Sequence, residues 1–154
     1  MRKLLSLVGA ISVLGGTAFA NSADVYVVNF RSDQSVESQN LDNELKTALS
    51  MVNENVEHVV IDTSSAAKWE KSAHEAFDRE IVPVFNKWVG LPGFAAIIDA
   101  GTKQVIGCVN GEFNANEIAK EIQRMASQAQ GQAYFSRTSF TKSTNCPAAH
   151  NKPL

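Results

Sequence analysis

The sequence predicts an α/β domain: a mixed four-stranded sheet with helices on both faces, in the order β-α-β-α-β-β-α. Three observations lead there. Short apolar, β-branched runs alternate with longer stretches of helical spacing. The first two strand-like runs are joined through a helical stretch, which makes them a parallel pair with a right-handed crossover. The last two are joined by "AGTK" alone, a hairpin turn that makes them antiparallel.

The elements follow in order. Residues 24–30 ("DVYVVNF") are dense in Val and Tyr and do not alternate with polar residues, so they read as a strand buried on both faces. From Val36 to about Val52, Leu41, Leu45, Ala48, Leu49 and Val52 recur at helical spacing, and "NEN" ends the run. Residues 56–63 ("VEHVVIDT") form a second strand. Ser64 and Ser65 can cap the next helix, in which Trp69, Ala73, Phe77, Ile81, Val84, Phe85 and Trp88 share helical spacing. Pro83 lacks a donor and clashes with the preceding turn, so a kink or a fresh helix is expected there. Residues 94–99 and the run "QVIGCVNG" are the third and fourth strands. Asn114 with Glu117 marks a capping-box start, and Ile118, Ile122, Met125 and Ala129 line one face of a last helix that stops near Gly131.

The chain carries 154 residues, which suits one domain between two flanking segments. Residues 1–20 read as a secretory signal peptide: Arg2 and Lys3, an apolar stretch to Phe19, and an Ala-x-Ala pattern ending at Ala20. The apolar run is shorter than the roughly 20 residues a membrane span needs, so export is expected, with no span left after cleavage and a periplasmic or secreted location. Residues 21–131 hold the domain. Residues 132–154, rich in Ser, Thr, Asn, Lys and Pro, read as a flexible tail unless a disulfide fastens it. The formal net charge is −2, or about −4 without the two leader cations. No basic stripe is present, so nucleic acid is not an expected partner. No Cys/His spacing fits zinc and no Gly-rich phosphate loop follows the first strand, so neither a metal nor another cofactor is expected.

Cys108 and Cys146 are the chain's two cysteines. In an oxidising compartment one disulfide is the default, and closing a loop of roughly 39 residues would stabilise the fold by about 4 kcal/mol. An intermolecular bridge, and a redox switch that frees the tail, stay open beside this structural staple.

With "VGLPGF" ahead of the third strand, the order of elements resembles the thioredoxin fold over residues 24–129, nearly the whole domain. The resemblance implies a cis proline at Pro92, after Leu91 and before Gly93. It also lays "VYVVNFRSDQSVES" over the family's strand, active-site loop and helix start. Ser35 and Ser38 then fall where the family's two cysteines would be, and Asn29 where its buried acid would be. The segment from Trp69 to Trp88 is longer than the family's usual connection. "QVIGCVNGEFNANEIAKEI" resembles its last strand, Gly turn and final helix.

Thiol–disulfide exchange needs a thiolate attacking sulfur. Serine oxygen is far too weakly acidic and cannot form the mixed disulfide, and Asn29 cannot shuttle a proton. No catalytic residue is therefore expected in this loop. A serine hydrolase would need a base within reach, and His58, His74 and His150 are not placed there by the sequence; capping by Ser32, Asp33 or Ser35 is the simpler reading, worth about 1 kcal/mol. The resemblance thus implies an exported, redox-inactive binding or assembly module for a protein or peptide partner, with "FRSDQSVES" and "GLPGF" lining a groove. Exported thioredoxin-like proteins of this kind occur among secretion and conjugative-transfer components. The alternative is an atypical thiol–disulfide oxidoreductase or redox switch using Cys108 and Cys146.

Overall fold

The computed structural model describes residues 23–53, 55–131 and 144–149. Its elements are β1 (Val25–Arg31), α1 (Val36–Met51), β2 (Val56–Asp62), α2 (Ala66–Asp78), α3 (Val82–Trp88), β3 (Phe94–Asp99), β4 (Val105–Asn110) and α4 (Ala115–Ala129). Of the kink or fresh helix expected at Pro83, the structure has the fresh helix, with Pro83 in the first turn of α3. The signal-peptide residues, and the tail apart from residues 144–149, lie outside the described residues.

The four strands form one mixed sheet in the order β2-β1-β3-β4. β1 pairs parallel with β2 and antiparallel with β3, and β3 pairs antiparallel with β4. β1 is thus central, which explains its unalternating sequence: both of its faces are covered. Val25 and Val27 point into a core built with Leu41, Leu45, Ile118, Ile122 and Met125 of α1 and α4. Val28 and Phe30 point into a second core with Ala76 of α2, and Val84, Phe85 and Trp88 of α3. Helices therefore cover both faces of the sheet.

Local chemistry sets the ends. Ser35 caps α1, Ser65 caps α2, and Asn114 with Glu117 forms a complete capping box on α4. At the top of the second core Phe30 stacks on Phe94 with centroids 4.9 Å apart, and Trp88 meets both rings edge-on at 6.0 and 5.6 Å. The residues at helical spacing from Trp69 to Trp88 divide between core and solvent: Ile81, Val84, Phe85 and Trp88 are buried. Phe77 is 70% exposed and Trp69 44%, while α2 turns Ser72 and Ala76 inward. Ser72 lies so close to β2 that its Oγ accepts from the Asp62 amide at 2.8 Å and bonds the Asp62 carbonyl at 3.2 Å, which leaves no room for a large side chain there.

Residues 144–149 lie along the outer edge of β4. Cys146 is disulfide-bonded to Cys108, with Cα atoms 4.9 Å apart. The Cys108 amide donates to the Thr144 carbonyl at 2.9 Å, and the Trp88 indole donates to the Pro147 carbonyl at 3.0 Å.

Candidate functional site

Along β1 the side chains of Val25, Val27, Asn29 and Arg31 share one face. The last two carry polarity to the carboxyl end of the sheet, where the chain turns into α1. Ser35 Oγ accepts from the Ser38 amide at 3.1 Å and donates to Glu37 Oε2 at 2.9 Å. Ser38 is fully buried, and its Oγ accepts from the Ser32 amide at 3.2 Å. Both hydroxyls are thus spent on shaping the loop and starting the helix. Neither has a histidine partner among the described residues: His58 is on β2, His74 is on the solvent side of α2, and His150 lies outside them. The Glu37 amide, and then the Ser35 hydroxyl, hold the Glu37 carboxyl below its ordinary value.

The loop before β3 meets this turn. The Leu91 amide donates to the Trp88 carbonyl, and the Gly93 amide donates to the Phe30 carbonyl, each at 2.9 Å. A Cβ on Gly93 would stand 3.0 Å from Glu37 Cβ and 3.9 Å from Ser35 Oγ, so residues 91–93 and the start of α1 do face each other. The expected cis bond is corrected: no described peptide bond is cis, so Pro92 is trans. The reversal is made by Gly90 and Gly93 instead, at φ of 87° and 95°, a region that glycine enters without steric cost. Glu37, Asn40, Gly93, Asn110, Gly111 and Glu112 surround a depression of about 300 Å³ here, with acidic walls.

Asn29 is buried, as its place beneath the loop implied, and its Nδ2 donates to Asp42 Oδ1 at 2.7 Å. Its own Oδ1 has no partner among the described residues. Beside it lies a network that the sequence did not announce. Arg31 pairs with Asp33 at 2.7 Å, with Asp42 at 2.9 Å and with Asp62. Lys68 pairs with Asp33 and, at 3.1 Å, with Asp62. Burial alone would lower the Arg31 pKa, but Asp33, Asp42 and Asp62 outweigh it and raise the value. Burial alone would raise Asp62, yet the Ser64 hydroxyl and amide, Lys68 and Arg31 together hold it below the usual carboxylate value. The exposed Asp33 carboxyl is lowered to about 2, by Lys68 and then Arg31. The clearest sequence signal for this network was the end of each parallel strand: the register sets Arg31 opposite Asp62.

The network joins β1, β2, α1, α2 and the loop. It forms one side of a cavity of about 460 Å³, in which Lys46, Leu49, His58 and Val60 complete the wall. The disulfide belongs elsewhere: Cys108 faces the α2–α3 core, whereas Ser35 and Ser38 start α1 on the opposite face. No group of three or more His, Cys, Asp or Glu residues able to hold a metal occurs among the described residues. None of the described helices is long and apolar enough to cross a membrane. Compared with known proteins, the chain matches no protein-family model, no curated protein and no solved structure.

Proposed function

We propose that this chain is an exported, thioredoxin-like binding or assembly module that recognises an extended polypeptide and performs no dithiol exchange at its active-site-like loop. The observation that carries this reading is the use made of the two serines. The resemblance puts Ser35 and Ser38 at the positions of a redox pair, and both oxygens are committed to loop hydrogen bonds. Further support comes from the sheet order β2-β1-β3-β4, with β3 antiparallel to its neighbours, and from the approach of Gly93 to the start of α1.

The depression between Glu37 and Glu112 is the recognition groove in this reading. Its acidic and amide walls favour a basic, hydrogen-bond-donating segment, held by strand-like main-chain bonds and by charge. Capture of exported proteins by the mature domain tests it. A Glu37→Lys/Glu112→Lys variant should fold normally and lose the captured partner. Equal capture by both proteins refutes the groove. Insulin reduction at a rate that Cys108→Ser abolishes would refute the binding-module reading as a whole and favour an oxidoreductase.

A further inference from the structure

The two edges of the sheet are finished differently. Along β2 the backbone groups of Asp62 are met by Ser72, and no added strand lies beyond it among the described residues. Along β4 a separate piece of chain is seated. It is held by two main-chain acceptors and one covalent bond: Thr144 O on the Cys108 amide, Pro147 O on the Trp88 indole, and Cys146 Sγ on Cys108 Sγ. What this edge accepts is therefore visible. It takes a segment with a carbonyl two residues before a cysteine and a proline directly after it.

We propose that the β4 edge, with Trp88 and Cys108, is a docking site for a Cys-Pro segment of another protein, filled in cis by residues 144–149. The incoming segment enters by thiol–disulfide exchange. Its thiolate attacks Cys146 Sγ, the more accessible sulfur, since Cys108 is only 2% exposed and Cys146 is half-buried. The Cys108–Cys146 bond breaks and Cys108 leaves as a thiolate. Cys108 then attacks the incoming sulfur in the mixed disulfide, and Cys146 departs as a thiol with the proton the incoming thiol brought. One disulfide and one thiol enter, and one of each leaves, so no outside oxidant or reductant is needed. The displaced strap stays tethered through the twelve residues 132–143. A tether of that length keeps it at an effective concentration on the order of millimolar, so an outside segment competes when it is presented at a similar level. This site centres on Cys108 and Trp88, whereas the Glu37–Glu112 groove is lined at the far end of β4 by Asn110, Gly111 and Glu112 and shares no residue with it, so failure here leaves the test of that groove untouched.

The test uses the wild-type chain and a synthetic hexapeptide of residues 144–149, Thr-Asn-Cys-Pro-Ala-Ala, in reduced form at millimolar concentration. The expected product is a stable adduct on Cys108 with Cys146 free to alkylation, located by peptide mass mapping. It should form at least about tenfold more than with glutathione, a cysteine thiol without the following proline. The Cys108 amide should remain protected from hydrogen exchange in the adduct, because a carbonyl of the peptide replaces that of Thr144. A Trp88→Phe chain, which lacks the indole donor, should form less adduct. The proposal is overturned if glutathione and the hexapeptide react alike, if the adduct rests on Cys146, or if the Cys108 amide of the adduct exchanges as an open edge.

Discussion

Replacing Arg31 with methionine keeps the length of the side chain and removes a cation shared by Asp33, Asp42 and Asp62. Stripping one partner from a fully buried pair costs about 3–5 kcal/mol, because the other charge is left uncompensated. An exposed pair is worth at most about 1 kcal/mol. This network lies between those limits, with side-chain exposures of 18% for Arg31, 12% for Asp62 and 30% for Asp42. Lys68 also remains to hold Asp62. The expected loss is therefore about 2 kcal/mol at pH 7, read from urea unfolding with the disulfide intact. The pH dependence fixes the cause. In the native protein the Asp62 pKa is depressed, so its stabilisation is complete above the unfolded value of about 3.9 and is lost as pH falls through the lower folded value. In the variant the burial of Asp62 weighs more heavily and acid relieves it. The stability gap between the two proteins should therefore narrow as pH falls from about 5 to about 2. Asp62→Asn in the Arg31→Met background should cost less than the sum of the single changes. A loss below about 0.5 kcal/mol, the scale of ordinary surface substitutions, or a gap that does not change with pH, would refute this account of the network.

Three further outcomes follow from the same structure. Cys146→Ala removes the link to Cys108 and should lower stability by up to about 4 kcal/mol in the loop-entropy account, while denatured, unreduced wild-type protein should show no free thiol with a thiol reagent. Gly93→Ala places a side chain at a φ of 95° and 3.0 Å from Glu37 Cβ, so a cost on the order of 1–3 kcal/mol is expected, with groove binding weakened as well; a neutral effect on both would refute the close approach of the two loops. Ser35→Ala removes the α1 cap and should cost about 1 kcal/mol without reducing partner capture, whereas loss of capture with stability unchanged would give this hydroxyl a recognition role.

What was legible in the sequence was local. The capping box of Asn114 and Glu117, the helix start at Pro83 and the double-sided burial of "VYVVNF" each depend on neighbours within a turn or two, and each holds. The disulfide was legible for another reason: with two cysteines, an intramolecular bridge has one possible connectivity. Pro92 was misread because its cis form was carried over from the thioredoxin resemblance, whereas the backbone reversal is carried by Gly90 and Gly93. For Trp69 and Phe77 helical spacing identified a face but not the direction it points, so core or surface stayed open in the sequence; the tight approach of Ser72 to β2 decided that. Of the charge network only the strand ends carried a signal, with Arg31 and Asp62 closing β1 and β2. Asp42 and Asp62 lie eleven and thirty-one residues from Arg31, and they meet it because α1 crosses back over β1 and the parallel register sets the strand ends side by side. That crossover also explains why the polar residues gather at this end. A parallel pair brings the carboxyl ends of β1 and β2 to one rim, each followed by a capped helix, so the loop at residues 32–35 is surrounded by free helix starts and side chains that must satisfy them. The serines answer that demand, and their bonds are those of a fold.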